Sequence, residues 1–267
     1  MSALLRRGLD SVRARLIAAR LVRESGAFFW GELRRPPGVF VYTLRKNGVR
    51  VAIRHRSVDA ATLVEVFGAD WYATPPEVER ALGSPREIID LGANIGLFGA
   101  LAVTRWPAAA IVAYEPDPGN AAVHERTIAE NGLADRWTLV RAAAGTADGN
   151  ARFAIDRGPS SFMVVGDAPP GENVVSVEMR DVLPAICGAE FVKIDVEGGE
   201  WPIIADARFA ADPPRVVVLE YHPAELAGVD RRAEAEQILT DAGMRTALIP
   251  GTEREGYGML WGWLPAG

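Results

Sequence analysis

Cysteine is nearly absent from this 267-residue chain, and Cys187 is the only one. A single thiol excludes an internal disulfide and any zinc site built from cysteines, and it fits a reducing compartment. Long apolar runs are missing too. No stretch reaches the roughly 18 uncharged apolar residues that a membrane span needs. The opening segment, "MSALLRRGLDSVRARLIAARLVRE", is broken by arginines and never forms the apolar centre of a secretory signal. A cytoplasmic location is therefore expected. A basic surplus is lacking as well, since the formal net charge is -6. Phosphate binding usually shows as a basic face, so nucleic acid is not the expected partner. Internal repeats and low-complexity segments are also absent.

What is present is enough apolar material for a full core, at 49% of residues. One large domain with an appendage is the natural organisation. The division expected is an N-terminal helix and β-hairpin extension over 1–75 and a main domain over 76–267. In the first 25 residues Leu5, Leu9, Val12, Leu16 and Ile17 recur at helical spacing. Arg6, Arg7, Arg13, Arg15, Arg20 and Arg23 cover much of the remainder. Such a helix packs on the body or on a second subunit, as in a homo-oligomer. The alternative is a helix lying on anionic membrane headgroups. A Pro-rich break, "ELRRPPGVF" (32–40), follows, then two β-type runs around Lys46-Asn47-Gly48. Asn-Gly between alternating apolar residues signals a hairpin. The segment "DAATLVEVFGADWY" (59–72) reads as a short helix.

From residue 85 the rhythm becomes strand, loop, helix, strand. "EIIDLG", "AIVAYEP", "WTLVRAA", "FVKIDV" and "RVVVLEY" are five short apolar runs. Runs of this kind with helices between them imply an α/β, doubly wound parallel sheet covered on both faces. Residues 146–180 add a small β insert, and the tail adds two strands expected to pair as a hairpin.

Three places carry chemistry. In "IIDLGANIGLFGALAV" (88–103) a strand meets a glycine turn and a helix start. Gly92 and Gly96 allow the bend and a close ligand approach, and the helix N-terminus offers free N–H groups. A dinucleotide fingerprint would carry G-x-G-x-x-G, but Asn94 and Leu97 stand at its second and third glycines. That departure speaks against a nicotinamide oxidoreductase, which remains one rival reading. A binding protein on the same fold without catalysis is another. Next, "IVAYEPDP" (111–118) ends a strand with Glu115, about 25 residues after Asp90. An acidic residue at about that distance accepts both ribose hydroxyls of a nucleoside cofactor, and a carboxylate can take two O–H donors. Ala143 and Ala144, at the end of the third run, are small enough to flank an adenine ring. Last, "FVKIDVEGGEW" (191–201) places Asp195, Glu197 and Glu200 within six positions. Lys193, two residues before Asp195, shares its face and can pair with an acid. Glu200 is expected at the start of the following helix, where a negative charge is favoured.

Together "DLGANIG", "YEPDP", "KIDVEGGEW" and "LEYH" resemble the FkbM-type S-adenosylmethionine-dependent methyltransferases, over roughly residues 40–225. The resemblance implies a seven-stranded Rossmann-like methyltransferase sheet and S-adenosylmethionine as methyl donor. It also implies O-methylation of a hydroxyl on a sugar, glycan or natural product. Asp90, Gly92, Asn94, Gly96, Glu115 and Ala143 are then the cofactor-binding residues. Asp195 and Glu197 would face the methyl group, whose positive sulfonium offsets their charge. Glu220 and His222 end the fifth run, and His222 is the candidate general base, since imidazole titrates near neutral pH. Asp195, Glu220 and His222 could instead hold a divalent metal such as Mg²⁺.

Overall fold

The computed structural model describes residues 3–34, 38–155, 162–163, 173–223, 230–254 and 256–265. The chain opens with α1 (Ala3–Leu21) and α2 (Ser25–Arg34). An antiparallel hairpin follows, β1 (Val39–Thr43) and β2 (Arg50–Arg54). Its turn is longer than a two-residue Asn-Gly turn, for Gly48 takes the left-handed conformation (φ 77°) and donates to the Leu44 carbonyl. The expected break at 32–40 falls partly on residues 35–37, outside the described residues. Then come α3 (Asp59–Phe67) and α4 (Pro76–Leu82).

The main sheet is built from β3 (Glu87–Leu91), β4 (Ala110–Tyr114), β5 (Trp137–Val140), β10 (Phe191–Ile194), β11 (Val216–Tyr221), β12 (Arg245–Leu248) and β13 (Gly258–Trp263). Its order is β12-β13-β11-β10-β3-β4-β5, with β13 antiparallel to both neighbours. The helices between are α5 (Leu97–Arg105), α6 (Pro118–Asn131), α7 (Leu183–Ile186), α8 (Glu200–Ile204), α9 (Ala207–Ala211) and α10 (Arg231–Asp241) among the described residues. Residues along one strand alternate between two cores. Val216 and Val218 join one apolar cluster, while Val217 and Leu219 join the other. That alternation, in strands buried throughout, marks a sheet covered on both faces. Strand order reverses between β3 and β10, and ligands in such sheets sit at that switch, beyond the carboxyl ends of the strands.

Two expectations need correction. The third run is not one strand. β5 stops at Val140, and Ala143 begins β6 (Ala143–Gly145), which pairs with β9 (Asn173–Asp181). Together with β7 (Gly149–Ile155) and β8 (Phe162–Met163) they form a separate four-stranded sheet. The second is the apolar stripe of α1. Val12 and Leu16 are exposed at 48% and 41%, whereas Ala18, Ala19 and Val22 are buried. The helix packs on α3. Leu5, Leu9, Arg6 and Arg7 fall outside the residues whose side chains are described. No helix among the described residues is long and apolar enough to cross a membrane.

Candidate functional site

The glycine turn after β3 forms one rim of a cleft at the switch point. Gly92 (φ 76°) has no room for a side chain, because a Cβ there would lie 1.7 Å from the Asp195 carbonyl oxygen. The turn and the end of β10 are thus locked together by a glycine. Asn94 is also left-handed (φ 49°), and its backbone N–H donates to Glu115 Oε2 at 2.7 Å. Gly96 begins α5 and packs on His124, a buried imidazole that burial pushes down to about 3 and so keeps neutral.

Glu115 stands just past β4, 5% exposed. Its Oε1 accepts from Asp117 N–H at 2.8 Å. Burial raises its carboxyl to about 7, against the lowering effect of these N–H groups. Oε2 keeps a lone pair for a further donor, whereas Oε1 also takes a long bond from Asn120 Nδ2 at 3.5 Å. Asp117 caps α6 by accepting from Gly119 and Asn120, which turns Asn120 toward the same cleft. The cleft encloses a cavity of about 120 Å³.

Its other side is acidic. Asp195, Glu197 and Glu220 reach it from the ends of β10 and β11. Glu197 takes a left-handed φ of 52°, an uncommon and strained state for a side-chain-bearing residue. Lys193 is buried and meets Asp90 at 3.1 Å and Asp195 Oδ2 at 3.3 Å. Burial opposes its charge, but Asp90 and Asp195 outweigh that and hold the ammonium well above its ordinary value. His222 Nδ1 lies 3.2 Å from Glu200 Oε1, which also accepts the His222 backbone N–H at 2.7 Å. Nε2 points at Glu197 (3.5 Å), Asp195 and Glu220 (both 3.9 Å).

These charges decide the protonation states. Burial works against the His222 imidazolium, yet the Glu200 hydrogen bond and the charges of Glu200, Asp195 and Glu197 push it up to about 10. Burial and the Asp195 charge raise Glu197 to about 7 and Glu220 to about 8. The titration near neutrality expected of an unperturbed His222 therefore does not hold. The carboxylates around it keep the ring charged.

The structure gathers Gly92, Asn94, Glu115, Ala143, Asp195, Glu197 and Glu220 around one cleft. His222 lies against the acids, 4% exposed. Asp90 is fully buried on β3, paired with Lys193 instead of facing the cleft. Glu200 starts α8 as expected, but it is buried and its carboxylate anchors His222. Sequence reasoning missed Thr62 and Glu65 on α3 and Phe153 on β7, which complete the wall. The three-residue spacing of Thr62 and Glu65 puts them on one helix face, a legible signal without a partner to interpret it. Burial raises the Glu65 carboxyl.

Residues 90–246 match the family model described as the methyltransferase FkbM domain. A comparison with curated proteins finds no match. Among solved structures, the N-terminal domain of human METTL16 is 14% identical at a TM-score of 0.47, covering 82% of this chain and 76% of that one. A precorrin-6y C5,15-methyltransferase from Geobacter metallireducens is 18% identical at 0.40, covering 70% and 85%. The O-methyltransferase NcsB1 of neocarzinostatin biosynthesis, solved with S-adenosyl-L-homocysteine, is 17% identical at 0.39, covering 76% and 55%.

Proposed function

The chain belongs to the methyltransferase FkbM family, and on that premise we propose that it methylates a hydroxyl oxygen of a small-molecule or glycan acceptor. S-adenosylmethionine would supply the methyl group, carried on a positively charged sulfur. One observation carries the reading. The glycine turn, Glu115 and the strand-end acids open into a single cleft, so a nucleoside site and a proton-accepting site are continuous.

The residues fit that cofactor. Glu115 would accept two ribose hydroxyls, one on the lone pair that Oε2 keeps and one on Oε1 in place of the long Asn120 contact. Ala143 and Ala144, both buried and lining the cleft, would flank the adenine. The Glu115 backbone held against β5, by its N–H to the Val140 carbonyl at 3.1 Å, keeps this wall rigid. Asp195 and Glu197 stabilise a positive charge placed at the switch point.

The acids also serve the acceptor. Its hydroxyl oxygen forms the new bond to the methyl carbon, the carbon–sulfur bond breaks, and the hydroxyl proton must leave. A positive charge beside Glu197 and Glu220 draws both toward the ionised form, so either carboxylate can take that proton. His222, already protonated, balances the charge of the cluster and in that state accepts no further proton. Rate is gained mainly by alignment of oxygen, carbon and sulfur.

The test is methyl uptake from labelled S-adenosylmethionine across a panel of glycans and hydroxylated small molecules. Calorimetry should show the donor or its demethylated product binding in the micromolar range, about −8 kcal/mol. Tight NADH binding with no response to S-adenosylmethionine would sink the proposal.

A further inference from the structure

We propose that Asp195, Glu220 and His222, with Glu197 beside them, hold one divalent cation of the Mg²⁺ or Mn²⁺ class at the acidic end of the cleft. Ligand atoms from Asp195, Glu220 and His222 all lie within 4.8 Å of one another. The separations themselves are telling. Nε2 of His222 stands 3.5 Å from Glu197 and 3.9 Å from Asp195 and Glu220. Hydrogen bonds between such atoms run about 2.7–3.2 Å. Two atoms bound to one ion at about 2.0–2.2 Å must instead lie about 3–4.2 Å apart. A proton on Nε2 therefore reaches no carboxylate well, while a cation set among them can draw on Asp195, Glu220 and His222 together.

A second observation is independent of the acids. The His222 side chain is only 5% exposed, and among the described residues no hydrogen bond reaches its Nε2. Its other nitrogen is held by Glu200, whose Oε1 also takes the His222 backbone N–H and whose Oε2 takes Gly198 N–H at 2.8 Å. Trp201 Nε1 donates to the His222 carbonyl at 3.2 Å. A buried carboxylate bound to one ring nitrogen fixes the tautomer and aims the other nitrogen, which is the usual outer arrangement of a metal-bound histidine.

The surroundings complete the assignment. Lys193 takes Asp195 Oδ2 and leaves Oδ1 turned to the histidine. Asp195, Glu197 and Glu220 are each only partly buried and line the cleft. Any remaining coordination positions open toward it, as in a catalytic site and unlike a closed structural one. Carboxylate oxygens outnumber the single imidazole, which favours Mg²⁺ or Mn²⁺ over the softer metals. A cation here would bind the acceptor hydroxyl and lower its pKa. This deepens the methyl-transfer reading, but the site itself rests on the cluster alone.

The test uses the full chain, stripped with chelator and titrated with Mn²⁺ alone. Electron paramagnetic resonance should report one tightly bound Mn²⁺ per chain, and pulsed spectra should show coupling to one imidazole nitrogen. Asp195→Asn and Glu220→Gln should each weaken binding at least tenfold. Glu115→Gln should leave Mn²⁺ affinity unchanged while weakening the nucleoside, which separates a failed metal site from a failed cofactor reading. Absence of nitrogen coupling in the unmodified chain would overturn the proposal without recourse to any variant. So would Mn²⁺ affinity indifferent to both acidic substitutions in folded protein.

Discussion

Removing the Glu115 carboxylate takes away the acceptor proposed for two ribose hydroxyls and strands the N–H groups of Asn94 and Asp117. Hydrogen bonds to a charged group contribute about 1.5–3 kcal/mol. Glu115→Ala should therefore raise the dissociation constant for S-adenosylhomocysteine roughly 10–100-fold. Calorimetry with a unfolding scan on the same protein checks it, because the stranded donors should also lower stability. The pH dependence has a definite sign. Burial holds Glu115 up at about 7, and hydroxyl donors need the ionised form. Affinity should fall by up to about tenfold per pH unit below that value, and Glu115→Gln should abolish the slope. His222 gives the opposite limb. Its folded value is raised from 6.5 to about 10, so the stability it contributes is complete below 6.5 and fades as pH rises toward 10. In chelator, the gap in unfolding free energy between the unmodified chain and His222→Gln should narrow over that interval. A gap constant with pH would show that the ring is not charged.

At the scale of elements, the N-terminal helices are fastened to the hairpin by a buried chain of polar groups. Tyr42 Oη lies 2.5 Å from His55 Nε2, and His55 Nδ1 lies 2.8 Å from Glu32 Oε1. Arg15 reaches the other Glu32 oxygen at 3.2 Å. The chain joins α1, α2, β1 and the end of β2. It has room only because α2 carries Gly31, where a Cβ would lie 2.2 Å from His55 Nε2. Overpacking of this kind destabilises by about 1–3 kcal/mol. Gly31→Ala should lower the unfolding free energy by that amount, read as a lower denaturant midpoint at unchanged slope, and an unchanged midpoint would show that α2 shifts freely. The hairpin is also tied to α6, since Arg54 donates to both Asp59 (2.9 Å) and Asn120 (2.7 Å).

Across the whole molecule, the first 75 residues share a core with the rest. Val22, Phe28, Val51 and Leu63 belong to the same apolar cluster as Ile88, Ala100, Phe191 and Trp261. Each large side chain buried in it contributes about 1.5–3 kcal/mol, against a typical domain stability of about 5–15 kcal/mol. A chain cut to residues 76–267 should therefore aggregate or fail to melt cooperatively, by light scattering and circular dichroism. It would also lose Thr62 and Glu65 from the cleft wall. A truncated chain that melts cooperatively and binds S-adenosylhomocysteine normally would make the extension a separable module.

The sequence by itself determined four of the five central runs as single strands, the glycine turn, Glu115 and the acids after β10. These depend on local patterns: buried runs of β-branched residues, backbone bends that exclude side chains, and carboxylates at strand ends. What only the tertiary structure decided is who meets whom across long separations. Asp90 resembled a cofactor residue in its motif, yet Lys193, on the neighbouring strand, claims it. Glu200 looked like a helix-start charge, but the turn after β10 carries it under β11, where it holds His222. The imidazole titrates near neutrality in isolation, and Glu200, Asp195 and Glu197 together hold it as a cation. Burial and strand register set those energies, and neither can be read from residues that are distant along the chain.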